Sequence, residues 1–225
     1  VWLIDDTSFP KAGHQSVGVA RQYCGALGKV ANCQVAVTLH WGNEEMSCPL
    51  GWRLYLPKEW LADRARAAKV KLPEGTTYKT KTALALELID QVVAWELPRL
   101  PVVADSFYGN EFAFRHALRG RHLPYVMAVE PSTVVWERDP NVPLPPPAPT
   151  GRPRRYPPRE QLPPLRDLLT VAQSLPVAAW RSVCWREGAR GPQRSRFALT
   201  RVWAAQGWRK REHHERKAEW LLIEW

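Results

Sequence analysis

Residues 100–110 read Leu-Pro-Val-Val-Ala-Asp-Ser-Phe-Tyr-Gly-Asn, and this stretch decides the fold. A short apolar run ends in Asp105, and a Gly-Asn turn then leads into a segment that contains two Phe residues. The pattern predicts a buried parallel strand that ends at Asp105 and is followed by a helix. In open α/β sheets, ligands bind at the carboxyl ends of parallel strands, so Asp105 is a candidate functional residue.

A second strand ends in the same way at the start of the chain, where the apolar residues Val1–Ile4 precede Asp5, Asp6 and Thr7. If this strand and the strand before Asp105 are parallel neighbours, their carboxylates lie side by side and can share a divalent metal ion. An Asp after a strand is also a common helix cap or turn former. The pattern leaves both interpretations open, although the pair of similar strand ends favours the metal site.

The order of elements up to residue 130 predicts an α/β protein. Three strands with short joins suggest an antiparallel meander, helices then lead to the strand before Asp105, and a helix and a last strand follow. This is the order of a ribonuclease H-like mixed sheet, which consists of a three-strand meander plus two parallel strands, with helices on both faces. After the first strand, the predicted elements are strands at 31–40 and 46–56, helices at 57–68 and 81–97, a helix at 112–118, and a strand at 125–129.

The amino-acid composition of the chain changes after residue 130. Residues 131–164 are rich in Pro and Arg, which predicts a linker between residues 1–130, the first part of the core, and residues 165–225. The last segment predicts a β-rich inserted module with a short helix near 165–172 and strands near 177–186, 195–203 and 219–225. Four arginines of the linker are candidates for contacts with a phosphate backbone, although a solvated basic linker is the plainer interpretation. They are Arg152, Arg154, Arg155 and Arg159.

The composition favours a polyanionic partner. The chain has 32 Lys and Arg against 22 Asp and Glu, a net charge of +10 and a pI near 9.8. Nucleic acid is the expected polyanion, because phosphate neutralisation releases counterions. The twelve Trp residues can stack on bases, but core packing is the favoured interpretation of Trp in an α/β protein.

The cysteines and the hydropathy pattern exclude two classes of protein. The four Cys residues form no CxxC pair and have no His pair at zinc spacing, so we expect reduced, buried thiols rather than a zinc site. No apolar run approaches the length of a membrane helix, and no signal peptide is recognisable. We therefore expect a cytoplasmic protein that has no contact with a membrane.

Five segments of the sequence resemble the DDE transposases of bacterial insertion sequences. The resemblance is closest to the insertion-sequence family 701 branch, which is related to the family 4 group. It covers nearly the whole chain, and the segments that show it are 5–13 (Asp-Asp-Thr-Ser-Phe-Pro-Lys-Ala-Gly), 16–25, 32–37, 103–109 and 180–188 (Trp-Arg-Ser-Val-Cys-Trp-Arg-Glu-Gly).

The resemblance implies a ribonuclease H-like core with an all-β insertion before the last catalytic helix. Such enzymes cut DNA and transfer the strands of an insertion sequence with two divalent metal ions, Mg²⁺ or Mn²⁺, held by two Asp and one Glu. It implies Asp5 and Asp105 as catalytic metal ligands, with Asp6 as the alternative to Asp5. Relatives place the first Asp two residues before a Thr, which favours Asp5, whereas strand alternation alone does not decide.

The resemblance also implies the partners of the protein. Transposon ends and target DNA are the expected substrates, and we expect a homodimer in the active complex and a location at the bacterial nucleoid. Lys11 and Arg21 join the four linker arginines as candidate DNA contacts.

The third acid of the family lies on a helix in a Tyr-Arg-Glu-Lys-type signature, which residues 1–225 do not contain. Glu187 stands in a Trp-Arg-Glu-Gly sequence at the wrong place to replace it. We therefore expect the chain to be a piece of a longer transposase and to be inactive alone.

Two alternative functions are a non-catalytic or domesticated DNA-binding remnant and, more distantly, a haloacid-dehalogenase-like phosphatase. The phosphatase is disfavoured, because such enzymes have a second acid two residues after the first, and here that position is Thr7.

Overall fold

The computed structural model describes residues 1–144, 146, 156–189, 191–208 and 215–225. The chain divides into two compact units, Val1–Ala128 and Val129–Trp225. Each unit is built around a sheet of its own.

The first unit contains six strands and five helices. The strands are β1 (Trp2–Pro10), β2 (Ala20–Cys24), β3 (Lys29–Gly42), β4 (Ser47–Leu54), β5 (Val102–Ala104) and β6 (Tyr125–Met127). The helices are α1 (Lys58–Ala62), α2 (Arg64–Lys69), α3 (Lys81–Ala94), α4 (Ser106–Gly109) and α5 (Phe112–Gly120).

The six strands form one mixed sheet. Its order is β2-β3-β1-β5-β6, and β4 also pairs with β3. The pairs β1–β3 and β3–β4 are antiparallel, whereas β1–β5 and β5–β6 are parallel. A meander of β1, β3 and β4 is thus extended by two parallel strands, which confirms the predicted α/β class and mixed sheet. β1 and β5 are neighbours at its centre.

Two features of the sheet differ from the prediction. β1 does not end at Ile4, because residues 5–10 continue to pair with residues 33–38 of β3, and only the parallel pairing with β5 stops there. β2 was not predicted, because glycines surround it in the sequence. Gly18 and Gly28 have φ angles of 77° and 62°, so they form the turns at either end of β2 rather than interrupting it.

One face of the sheet is covered by α3 and α5. Buried residues of α3 and α5 pack against alternate residues of β1 and β3 that are also buried. Gly51 of β4 allows this close approach, because a Cβ atom there would lie 2.8 Å from Leu88 Cδ2. The residues in this core include Trp2, Ile4, Val37, Leu39, Leu84, Leu88, Ile89, Val92, Phe114 and Leu118.

On the opposite face, Ala36 and Thr38 are buried whereas three larger side chains are exposed, so the second layer of helices stays a prediction. The side chains of Trp52, Leu54 and Val126 are 50%, 39% and 63% exposed there. The predicted helix at 57–68 is also divided, because the Asp63 side chain accepts a hydrogen bond from Arg66 N and starts a new helix.

The described residues of the second unit form an antiparallel sheet and one α-helix. Its elements are β7 (Val134–Trp136), β8 (Leu165–Asp167), α6 (Leu168–Ser174), β9 (Arg181–Gly188), β10 (Gly191–Ala204) and β11 (Glu219–Glu224). The sheet order is β11-β10-β7-β8, and β9 also pairs with β10. The core consists of Val135, Leu168, Val171, Val202 and Leu221.

Two predictions for the second unit need correction. Residues 131–164 are not linker throughout, because β7 lies within them and Val135 and Trp136 are only 3% and 2% exposed. The helix predicted at 165–172 starts three residues later, because the Asp167 carboxylate caps it by accepting hydrogen bonds from Thr170 N and Thr170 Oγ1.

The prediction of buried thiols holds for two of the four cysteines. Cys24 and Cys33 are buried, whereas Cys48 and Cys184 are exposed.

Across the described ranges, no helix combines the length and the apolar character needed to cross a membrane.

The difference between the two faces of the first sheet predicts unequal effects of substitution. Leu88→Ala removes a fully buried side chain, so it should lower the free energy of unfolding by about 2–5 kcal/mol. Val126→Ala on the uncovered face is the control and should cost about 1 kcal/mol or less. Urea unfolding followed by circular dichroism measures both, and equal losses would contradict the one-sided core.

Candidate metal-binding edge of the first sheet

The register of β1 and β5 brings Asp5 and Asp105 to the same place in the sheet. Ile4 is the partner of Ala104, and the parallel pairing ends with this pair. Asp5 and Asp105 are the next residues of the two chains, and both are exposed. Neighbouring strands lie about 4.8 Å apart, so the two backbones that bear these carboxylates are adjacent.

Asp5 points away from the face covered by α3 and α5. Ile4 is buried in that core, and successive side chains of a strand alternate between faces. The backbone of Asp5 is fixed by Thr38, whose Oγ1 donates a hydrogen bond of 3.1 Å to Asp5 O. The Asp5 carboxylate accepts a hydrogen bond from Asp6 N at 2.7 Å, which uses Oδ1 only. Within the described residues, Asp5 Oδ2 has no hydrogen-bond partner.

Asp105 caps the short helix α4. Its Oδ1 accepts hydrogen bonds from Phe107 N at 3.0 Å and from Tyr108 N at 3.4 Å. The capping interpretation of this Asp is therefore correct. Capping does not prevent Asp105 from binding a metal ion as well, because Oδ2 has no hydrogen-bond partner in the described part of the chain and the side chain is exposed.

Asp6 differs from both of these carboxylates because its two oxygens are occupied. Lys81 Nζ lies 2.5 Å from Asp6 Oδ2, and Tyr108 Oη donates a hydrogen bond of 2.7 Å to Asp6 Oδ1. Lys81 is the first residue of α3, and Tyr108 is a buried residue of α4. Asp6 therefore ties β1 to the two helices, on the face opposite to Asp5.

The three carboxylates act together on the Tyr108 hydroxyl. Burial raises the pKa of Tyr108 far above its ordinary value, and the negative charges of Asp6, Asp105 and Asp5 raise that pKa further. Tyr108 therefore stays a neutral hydrogen-bond donor at pH values at which a free tyrosine ionises.

The donor set at this edge fits a hard divalent cation but is small. Two carboxylates, each with an oxygen that has no protein partner in the described ranges, are suitable ligands for Mg²⁺ or Mn²⁺. Among the described residues, no group of three or more His, Cys, Asp or Glu is placed to hold a metal ion. Glu187, considered as a third acid, lies on β9 in the second unit.

The candidate DNA contacts are distributed over both units. Lys11 and Arg21 are close to each other, since Lys11 N donates to Asn32 O at 2.9 Å and Arg21 pairs with Asn32 between β2 and β3. Arg159 lies in the second unit, in a short 3-10 helix at Arg159–Gln161. The candidates Arg152, Arg154 and Arg155 lie outside the described residues.

Lys81 and Tyr108, which contact Asp6, were not predicted from the sequence as site residues. Tyr108 follows Asp105 by three residues, so the helix predicted after Asp105 could have indicated it. Lys81 is 75 residues from Asp6 in the sequence, and no local pattern marks it as the partner of a carboxylate.

Comparisons with known proteins identify the family of the chain. The model of the DDE superfamily endonuclease family matches residues 1–192. A probable transposase for insertion sequence element IS701 from Microchaete diplosiphon is 33% identical over 130 residues, which are 57% of this chain and 31% of the relative. The chain thus matches about a third of that relative's length. No solved structure matches the chain.

The family model covers most of the 225 residues and includes both strand ends that bear Asp5 and Asp105. The resemblance to the insertion-sequence 701 transposases is confirmed by the curated relative. The chain belongs to the DDE superfamily of endonucleases.

Proposed function

We propose that this chain supplies part of the catalytic centre of a DNA transposase, which cleaves DNA and transfers its strands with divalent metal ions. The observation that supports this proposal most directly is the register of β1 and β5, which places Asp5 beside Asp105. The sheet order and the family of the chain agree with a ribonuclease H-like core.

Asp5 and Asp105 would hold the metal through their carboxylate oxygens. Bound Mg²⁺ or Mn²⁺ activates the attacking oxygen and stabilises the leaving oxygen when a phosphodiester bond is broken. The protein contributes orientation: the amides of Phe107 and Tyr108 fix one oxygen of Asp105, and Asp6 N fixes one oxygen of Asp5. Each carboxylate thereby presents its second oxygen in a restricted direction.

The contacts of Asp6 support Asp5 as the first ligand. A metal ion at Asp6 would have to displace Lys81 Nζ and the Tyr108 hydroxyl, which already satisfy both oxygens. Asp5 is exposed and retains one oxygen without a protein partner in the described ranges. We therefore assign Asp6 a supporting role.

A two-metal site needs a third carboxylate, and within the described residues no third acid joins Asp5 and Asp105 to hold a metal ion, since both oxygens of Asp6 are occupied. We propose that a Glu outside this cluster completes the site in the active transposase, and that the 225-residue chain alone does not cleave DNA. The β-rich second unit then corresponds to a module inserted between the two parts of the catalytic core.

DNA is the proposed partner, as transposon ends and as target. The basic composition supports binding to phosphates, and Lys11 and Arg21 are two basic residues whose backbones flank Asn32 of β3. A homodimer in the active complex and a cytoplasmic location at the nucleoid belong to the same proposal.

The alternative functions have less support. A DNA-binding remnant without catalysis would not need two carboxylates with oxygens left available at one sheet edge. A haloacid-dehalogenase-like phosphatase needs a second acid two residues after the first, in a loop that follows the strand. Here the position is Thr7, which lies within β1 and pairs with Ala36 of β3.

The first prediction of the proposal concerns metal binding by the 225-residue chain. Asp5→Asn and Asp105→Asn should each weaken Mn²⁺ binding about tenfold or more, because each removes a negatively charged oxygen ligand. Titration followed by electron paramagnetic resonance of free Mn²⁺ measures the affinity. Asp6→Asn is the matched control and should weaken binding less than either, whereas the reverse order would identify Asp6 as the ligand.

The second prediction concerns cleavage. The 225-residue chain should leave a transposon-end duplex intact in Mg²⁺ or Mn²⁺, since its site lacks the third carboxylate. A longer transposase polypeptide that supplies this acid should cleave the duplex, and Asp5→Ala or Asp105→Ala should abolish cleavage while the protein remains folded. Cleavage by the Asp105→Ala variant at the parent rate would refute the mechanism.

The third prediction concerns duplex DNA. Binding by the 225-residue chain should show little sequence preference, and its affinity should fall about tenfold or more between 50 and 200 mM salt. Arg21→Ala should reduce the slope of log affinity against log salt by about 0.9, because one phosphate contact is lost. Anisotropy of a labelled duplex provides the measurement, with Lys29→Ala as the charge-matched control. Affinity that does not change with salt would contradict binding through phosphates.

A further inference from the structure

The second unit contains a cavity of about 680 Å³. Cavities of roughly 300–1,000 Å³ are typical of ligand sites. This cavity lies between β7, the segment that leads into β8, and the residues that follow β10. The side chains that line it include Trp136, Arg159, Leu162, Pro163, Leu165 and Trp208.

Trp136 gives the wall of the cavity a hydrogen-bond donor that is not satisfied. Its side chain is 2% exposed, and its Nε1 is buried without a hydrogen-bond partner among the described residues. Such donors are rare in folded proteins, because an unmade hydrogen bond of a buried group costs free energy. A ligand that brings an acceptor to Trp136 removes this cost.

Aromatic rings form one wall of the cavity. The ring centres of Trp136 and Trp208 are 5.6 Å apart, and the two planes meet at 72°. The ring of Tyr156 lies 5.7 Å from that of Trp208. Grooves lined by aromatic rings are the sites at which proteins bind proline-rich segments in the polyproline II conformation.

The polar side chains of the lining select a ligand that accepts hydrogen bonds. The Trp136 indole and the Arg159 guanidinium are donors only, and no acid lines the cavity among the described residues. A proline-rich segment matches this set, because Pro has no backbone N–H and the carbonyls of a polyproline II helix make no internal hydrogen bonds.

The chain itself carries a segment of this kind. Residues 143–149 read Pro-Leu-Pro-Pro-Pro-Ala-Pro. Among the described residues of this run, Pro143, Leu144 and Pro146 are exposed, and they do not line the cavity of their own chain. Leu144 is 51% exposed, although it is apolar. These side chains are therefore available to the cavity of another copy.

We propose that the cavity binds the proline-rich segment of a second copy of this chain. A carbonyl of the segment accepts a hydrogen bond from Trp136 Nε1, a second carbonyl accepts from Arg159, and Leu144 packs against the aromatic wall. Because each copy has both a cavity and a segment, two copies exchange segments reciprocally and form a closed dimer. The proposal specifies one contact of the homodimer proposed above and is independent of the metal site.

The first test measures the oligomeric state of the 225-residue chain by sedimentation velocity over a range of concentrations. Leu144→Asp should weaken the dimer about tenfold or more, because it places an unpaired charge in an apolar cavity. Trp136→Phe retains a ring but removes the donor, so it should weaken the dimer about fivefold.

The matched control for Leu144→Asp is Val177→Asp. Val177 is 86% exposed in the second unit and lies outside both the segment and the lining of the cavity. This variant should dimerise like the parent chain, and circular dichroism should show that all variants remain folded. Equal weakening by the two Asp substitutions would overturn the proposal, as would a parent chain that is monomeric at every concentration.

The second test uses a synthetic peptide with the sequence of residues 143–149 and blocked ends. The peptide should dissociate the dimer, and the same peptide with Asp in place of Leu should not. In ¹H–¹⁵N spectra, the indole resonance that is missing in Trp136→Phe identifies Trp136. This resonance should keep its dimer position when the peptide replaces the segment of the second copy, and it should move upfield when Leu144→Asp produces monomer.

An indole resonance of Trp136 that is the same in the parent dimer and in the Leu144→Asp monomer would overturn the proposed contact. A chain that stays monomeric while Leu144→Asp moves this resonance would place the segment in the cavity of its own chain, and it would overturn exchange between copies.

The experiments separate this proposal from the proposed catalytic function. Asp5→Asn should leave the dimer intact, because Asp5 lies in the first unit and the cavity lies in the second. Mn²⁺ binding that depends on Asp5, in a chain that does not exchange segments, would reject the exchange alone. A dimer that depends on Leu144, in a chain whose Mn²⁺ affinity is unchanged by Asp5→Asn, would reject the metal site alone.

Discussion

The backbone pairing of β1 with β5 is the constraint on which the candidate site depends. Three residue pairs, from Trp2–Val102 to Ile4–Ala104, set the register of two strands that are about a hundred residues apart in the sequence. A shift of one residue would turn the buried side chains of β5 towards the opposite face and separate Asp105 from Asp5. Because Val102 and Ala104 are buried against α3 and α5, the hydrophobic core fixes the position of the carboxylates.

The sequence predicts the parts of the site that have a local signal. Asp5 and Asp105 both follow apolar runs, and this pattern is visible without any knowledge of the fold. The α/β class and the neighbouring positions of the first and fourth predicted strands also follow from the order of elements. The strand ends depend on residues that are close together in the sequence, whereas the neighbouring positions of the two strands follow from the order of elements along residues 1–130.

Other features depend on tertiary contacts and have no such signal. β2 exists because β3 is long enough to pair with β1 on one side and with both β2 and β4 on the other. β7 is a strand of three residues within a proline-rich segment, and its burial comes from β10 and β8. The same limit applies to tryptophan: Trp2 and Trp60 are buried, whereas Trp185 and Trp220 are exposed, although composition favours core packing for all of them.

The pairing of Asp6 with Lys81 has an electrostatic consequence for its neighbours. Three carboxylates carry negative charge close to one buried hydroxyl. Lys81 neutralises Asp6, and the Tyr108 hydroxyl satisfies its other oxygen, so the uncompensated negative charge at this edge belongs to Asp5 and Asp105. Without a cation, these two carboxylates repel a phosphate backbone. In the proposed function, affinity for DNA must therefore come from other parts of the surface, where Lys11, Arg21 and the arginines of β9 and β10 carry positive charge.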